Sequence, residues 1–90
     1  MIHRVDGALT RETCTHQLEL AREAVDAGAR EIDLAKVERV DSTSLAFWLE
    51  LERWSALRDV KLSWSGLPKQ MLSIAQLVGM DTLIGNLKAE

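Results

Sequence analysis

Two periodicities take turns along the ninety residues of this chain, and their alternation constrains the fold more than any other feature. "EIDLAKV" sets Ile32 and Leu34 on either side of Asp33, the period of two expected of a strand. "DVKLSWSG" repeats it, with Val60, Leu62 and Trp64 on one face and Lys61, Ser63 and Ser65 on the other. Elsewhere the spacing becomes helical. Cys14, Leu18, Ala21 and Val25 fall at i, i+4, i+7 and i+11, and Leu67, Met71, Ile74 and Val78 do the same. A further helix is predicted from about Ser44 to Arg58. The opening "MIHRVDGALT" gathers Ile2, Val5, Ala8 and Leu9 around Gly7 and reads as a strand or a hairpin bent at Asp6-Gly7.

The punctuation agrees. Thr10 is placed to cap the first helix with Glu12 in its first turn, and Gly28 to stop it. Gly66 and Pro68 end the last clear strand, and Gly79 closes the helix that follows. The tail "MDTLIGNLKAE" reads either as a short turn of helix or as a final strand. Alternation from end to end predicts one α/β domain over residues 1–90. Its small, mostly parallel sheet would have about four strands, packed with about three to four helices.

Ninety residues are enough for one core. The net charge is −3, and Lys and Arg are scattered without a run, which argues against nucleic acid as a partner. No apolar stretch is long enough to cross a bilayer and no signal-like start is present, so a cytoplasmic chain without direct membrane insertion is expected. Cys14 is the single cysteine; it cannot form an internal disulfide and is expected to be a small core hydrophobe.

Catalytic signatures do not emerge. There is no phosphate-cradling glycine loop. His3 and His16 have no Cys, His or acidic neighbour at metal-ligand spacing. Glu50 and Glu52 are two apart on a helix and point to different sides, so they cannot act as an acid/base pair. The expectation is a non-enzyme with no cofactor and no metal.

The richest stretch is "RVDSTSLAFWLELERW", from Arg39 to Trp54. Winding its helix at about 100° per residue places Leu45, Leu49 and Ala56 together with Trp48 on their flank, a reasonable core face. Phe47, Leu51 and Trp54 gather on nearly the opposite side, and the polar arc of Glu50 and Arg53 is narrow. Either the helix is sandwiched inside the domain, or the stripe of Phe47, Leu51 and Trp54 is presented to a partner. Asp41, Ser42, Thr43 and Ser44 stand at the helix entrance. Asp41 or Ser42 would suffice as a cap, contributing about 1 kcal/mol. The surplus hydroxyls point to a docking site or a switch, since a phosphoryl group here would add nearly two negative charges at the edge of the apolar stripe.

These residues resemble a known family. "EIDLAKVERVDSTSLAFWLEL" is similar to the core of a STAS domain, the module of anti-sigma factor antagonists, in which a strand ends in aspartate and hydroxyl residues open a helix. "VDGALT" resembles the family's early Gly-x-Leu element. Within the family the style is that of the small MlaB-like subunits of Mla-type phospholipid transporters. The resemblance implies a subunit that binds an ABC ATPase at the cytoplasmic side of the inner membrane and supports its activity. It places Ser42 in the ATPase contact and matches Thr43 to the position that antagonists phosphorylate through a partner kinase. Ser44 stands where the family usually has glycine. The alternative it implies is an anti-sigma factor antagonist, switched by phosphorylation of Thr43 or Ser42 by an anti-sigma factor kinase.

Overall fold

The computed structural model describes residues 1–77. In chain order they form β1 (Ile2–Leu9), α1 (Cys14–Asp26), β2 (Glu31–Val40), α2 (Thr43–Ala56), β3 (Ser63–Ser65) and α3 (Lys69–Leu77). The strands lie in the order β1-β2-β3, and both pairings are parallel. A parallel step needs a crossover, and right-handed crossovers that advance in one direction put their helices on the same face of the sheet. α1 and α2 are those crossovers.

The strands bury one face accordingly, with a period of two up to Leu34 and a wider spacing beyond it in β2. Val5 and Leu9 of β1, Ile32, Leu34, Val37 and Val40 of β2, and Trp64 of β3 point into one buried cluster with residues of all three helices. The opposite face is polar. Arg4 and Asp33, in register across β1 and β2, form an ion pair at 3.3 Å, and the Ser65 hydroxyl donates to Glu31 at 2.8 Å. Trp64 anchors the core. Phe47 meets it edge-on at 6.1 Å and Trp48 lies tilted at 6.1 Å. Its indole N–H donates to the Glu52 carboxylate, so the ring is buried with its polar tip satisfied.

The α/β class and the parallel sheet agree with the sequence reading, with three strands among the described residues against the expected four or so. The N-terminal segment is one strand, not a hairpin. Its register with β2 shifts around Asp6 and Gly7, and Gly7 absorbs the irregularity at φ +86°. α1 begins at Cys14, later than a Thr10 cap implies, because the Thr10 carbonyl first accepts the N–H groups of Thr13 and Cys14 in a tight turn. α2 runs from Thr43 to Ala56, a residue earlier and two residues shorter at its end than expected. β3 keeps only Ser63–Ser65 of "DVKLSWSG". Pairing with β2 ends at Asp33–Ser65, where Gly66, at φ +67°, passes so close to Ala35 that a Cβ would lie 2.7 Å from its backbone nitrogen. The expectations for Val78, Gly79 and the tail lie outside the described residues.

Candidate functional site

β2 delivers the chain to Asp41 at the mouth of α2, and this carboxylate organises the entrance. Its Oδ1 accepts the Thr43 N–H at 2.9 Å and the Thr43 hydroxyl, and its Oδ2 accepts the Arg11 N–H at 3.0 Å. One side chain therefore caps α2 and ties it to the turn before α1. The Thr43 hydroxyl, chief among these donors, holds the Asp41 carboxyl below the usual carboxylate range. The Arg11 and Thr43 N–H groups and the Arg11 charge act in the same direction, against the effect of burial.

The three hydroxyls have three different surroundings. Ser42 occupies the cap position but makes no side-chain capping bond, and it is exposed. Thr43 is half-buried and committed to Asp41. Ser44 is fully buried, and its Oγ has no hydrogen-bond partner among the described residues.

The expected partner stripe is corrected by the fold. Phe47 and Leu51 are 1% and 0% exposed and belong to the core. Leu49, assigned to the core face, is 37% exposed, and Ala56 is exposed too. The helix is turned by about 90° from either expected stripe, so that the core takes Leu45 and Trp48 from one and Phe47 and Leu51 from the other. The centre of the buried face is Ser44, Trp48, Leu51 and Ser55, with a small serine near each end of α2. The reason is area. This sector buries both large aromatics against Trp64, whereas the Leu45–Leu49–Ala56 face would have left Phe47 in water. Trp54 is half-buried at the flank, with the Arg58 guanidinium 3.5 Å above its ring and that of Arg22 at 5.9 Å.

What α2 presents outward is Ser42, Ala46, Leu49, Arg53, Ala56 and Leu57. Leu57 is 80% exposed. The sequence reading missed this row, although the signal was there: counting from Ser42 gives i, i+4, i+7 and i+11. Asp41 and Thr43 sit at its head.

Beside the row, α1 and α2 leave a groove with a cavity of about 220 Å³. Cys14, Leu18, Ala46 and Phe47 form its apolar wall, with Arg11 and Glu50 among its polar lining. Cys14 is half-buried in this wall rather than fully within the core. Burial pushes its thiol above the ordinary range, and it donates to the Thr43 carbonyl at 3.2 Å. Glu50 is engaged by Arg53 at 3.4 Å and Arg22 at 3.9 Å. Among the described residues no cluster of three His, Cys, Asp or Glu side chains could hold a metal ion, and no helix is long and apolar enough to cross a membrane. The arrangement combines a fastened helix entrance, an exposed outer row on α2 and a small groove beside it.

Comparison with known proteins agrees with this fold. A sulfate transporter family protein from Wolinella succinogenes, known from a crystal structure, superposes with a TM-score of 0.73 at 14% identity, covering 98% of this chain and 73% of that one. No curated protein matches significantly in sequence. The family model described as "Mlab, STAS domain" matches residues 3–85. Nearly the whole length is matched, and the chain belongs to the MlaB-like STAS domain family.

Proposed function

We propose that this chain is a non-enzymatic regulatory subunit that docks on the ATPase of a phospholipid-transporting ABC complex of the Mla type. The observation that carries the reading is the outward row of α2, in which Ala46, Leu49, Ala56 and Leu57 are exposed beside Ser42 and Arg53, in a chain of the MlaB-like family. A permanently assembled subunit tolerates such a face because the partner covers it. In this reading Ser42 and the row from Ala46 to Leu57 touch the ATPase. Asp41 and Thr43 set the geometry of the contact, and Ser44, Phe47 and Leu51 support it from within. Trp54 lies at its edge under Arg58. The chain would work at the cytoplasmic face of the inner membrane, held there by the complex rather than by insertion into lipid, without a cofactor.

The test is co-purification of the ATPase from the same host with wild-type protein and with Leu49→Glu. The variant places a charge on the row without touching the core. It is expected to keep its circular dichroism and thermal transition and to lose the ATPase by at least tenfold. Retention of the ATPase by the folded variant would sink the docking face.

A second reading rests on Ser42, whose exposed hydroxyl at the head of α2 makes no hydrogen bond among the described residues, unlike that of Thr43. It is the anti-sigma factor antagonist, phosphorylated by a partner kinase. Phosphate on Ser42 in cells, together with recovery of a soluble kinase in place of an ATPase, would favour it.

A further inference from the structure

We infer that the groove between α1 and α2 receives one apolar side chain of the docking partner, leucine- or phenylalanine-sized, with a carboxylate beside it that meets Arg11. The inference rests on the docking reading and specifies what the partner brings.

Size comes first. A cavity of about 220 Å³ falls below the roughly 300–1,000 Å³ of small-molecule sites, and its wall of Cys14, Leu18, Ala46 and Phe47 suits a single hydrocarbon side chain. Charge decides what accompanies it. Two charged residues line the groove, Arg11 and Glu50. Glu50 is already held by Arg53 and Arg22. The Arg11 backbone N–H is used by Asp41, but its guanidinium forms no ion pair or side-chain hydrogen bond among the described residues. Asp41, just outside the lining, offsets part of the Arg11 charge, yet its oxygens are occupied by the Arg11 N–H and by the N–H and hydroxyl of Thr43. The unanswered group at the rim is therefore a cation with its donors free, and a planar guanidinium is suited to bidentate pairing with a carboxylate. Ala46 belongs both to the groove and to the outward row of α2, so a partner lying along that row reaches the groove without a gap.

The experiment titrates the 15N-labelled ninety-residue chain with N-acetylphenylalanine and with its uncharged amide, following backbone amide shifts. Shifts are expected around Cys14, Thr15, Leu18, Thr43, Ala46 and Phe47. The amide, and the Arg11→Gln variant with the acid, should each bind about 2- to 5-fold more weakly, the range for one exposed ion pair. Ala46→Phe fills the groove from an exposed helix position and should abolish the shifts. Equal binding of acid and amide, shifts mapping elsewhere, or none at the solubility limit would each overturn the inference. Leu49→Glu lies outside the groove lining and should leave probe binding unchanged. If the wild-type chain recovers no ATPase, the docking reading fails. If it does, but Arg11→Gln and Ala46→Phe bind the ATPase as wild type does, the groove is wrong and docking stands.

Discussion

Asp41 does with one carboxylate what the hydroxyls after it do not. It accepts two hydrogen bonds from Thr43 and one from Arg11, and so fastens the start of α2 to the turn before α1. Ser44 is the reverse case, a buried hydroxyl without a partner among the described residues. An unsatisfied buried polar group is destabilising, and alanine is the better helix former, so Ser44→Ala should stabilise the domain by about 1 kcal/mol in urea unfolding. An unchanged or lower midpoint would mean that Ser44 has a partner after all. His3 adds a pH dependence. It is half-buried, its Nε2 has no partner among the described residues, and burial lowers its pKa, so the neutral ring is the form the fold accepts. Its contribution is complete above the ordinary value of 6.5 and declines as pH falls through it. His3→Gln should flatten the decline of stability between pH 7 and pH 5. The contribution of Asp41 is lost only in more acid solution, as pH falls below the ordinary carboxylate value of 3.8. The two titrations are therefore separable.

At the scale of elements, α2 shows how a helix that is apolar nearly all round chooses its orientation. Leu45, Phe47, Trp48 and Leu51 go inward, and Ser44 and Ser55 are the small residues of the same face. The choice depends on Trp64, which lies in β3 and meets both Phe47 and Trp48. Phe47→Ala should lower stability by about 3–5 kcal/mol, whereas Leu49→Ala should lower it by about 1 kcal/mol or less. The comparison is made by chemical denaturation, and equal losses would contradict the observed rotation of the helix. Position within elements was legible wherever one face was clearly polar. On α1 the sequence marked Cys14, Leu18, Ala21 and Val25, and these are the residues that meet the core, the first two from its edge.

For the whole molecule the two-layer build has a consequence. A parallel sheet is usually covered on both faces, and its strands are then apolar throughout. Here β1 and the first half of β2 alternate, beyond Leu34 only every third residue of β2 is buried, and Arg4, Asp6, Asp33, Lys36 and Glu38 stay out of the core. In the Arg4–Asp33 pair the arginine is solvated, its side chain 64% exposed against 20% for Asp33. Arg4→Ala should therefore change stability by no more than about 1 kcal/mol and leave the proposed docking through α2 intact. A large loss of either would mean that this polar face is itself covered in the working assembly.

The sequence by itself determined the alternation of strand and helix, the parallel α/β class and the place of the Asp41–Ser44 entrance. Each of these follows from local spacing: a period of two or of 3.6, a glycine where the chain must turn, an acidic residue before a helix. Only the tertiary structure decided which side of α2 is buried and which hydroxyl is bound, buried or free. With apolar residues on both sides of the helix, no local preference fixes its rotation. That is set by the packing of Phe47 and Trp48 on Trp64, between residues separated by more than a dozen positions in the chain. The hydroxyls follow from the same long-range docking, since Asp41 is held by a backbone N–H from Arg11, across the strand and helix that separate them.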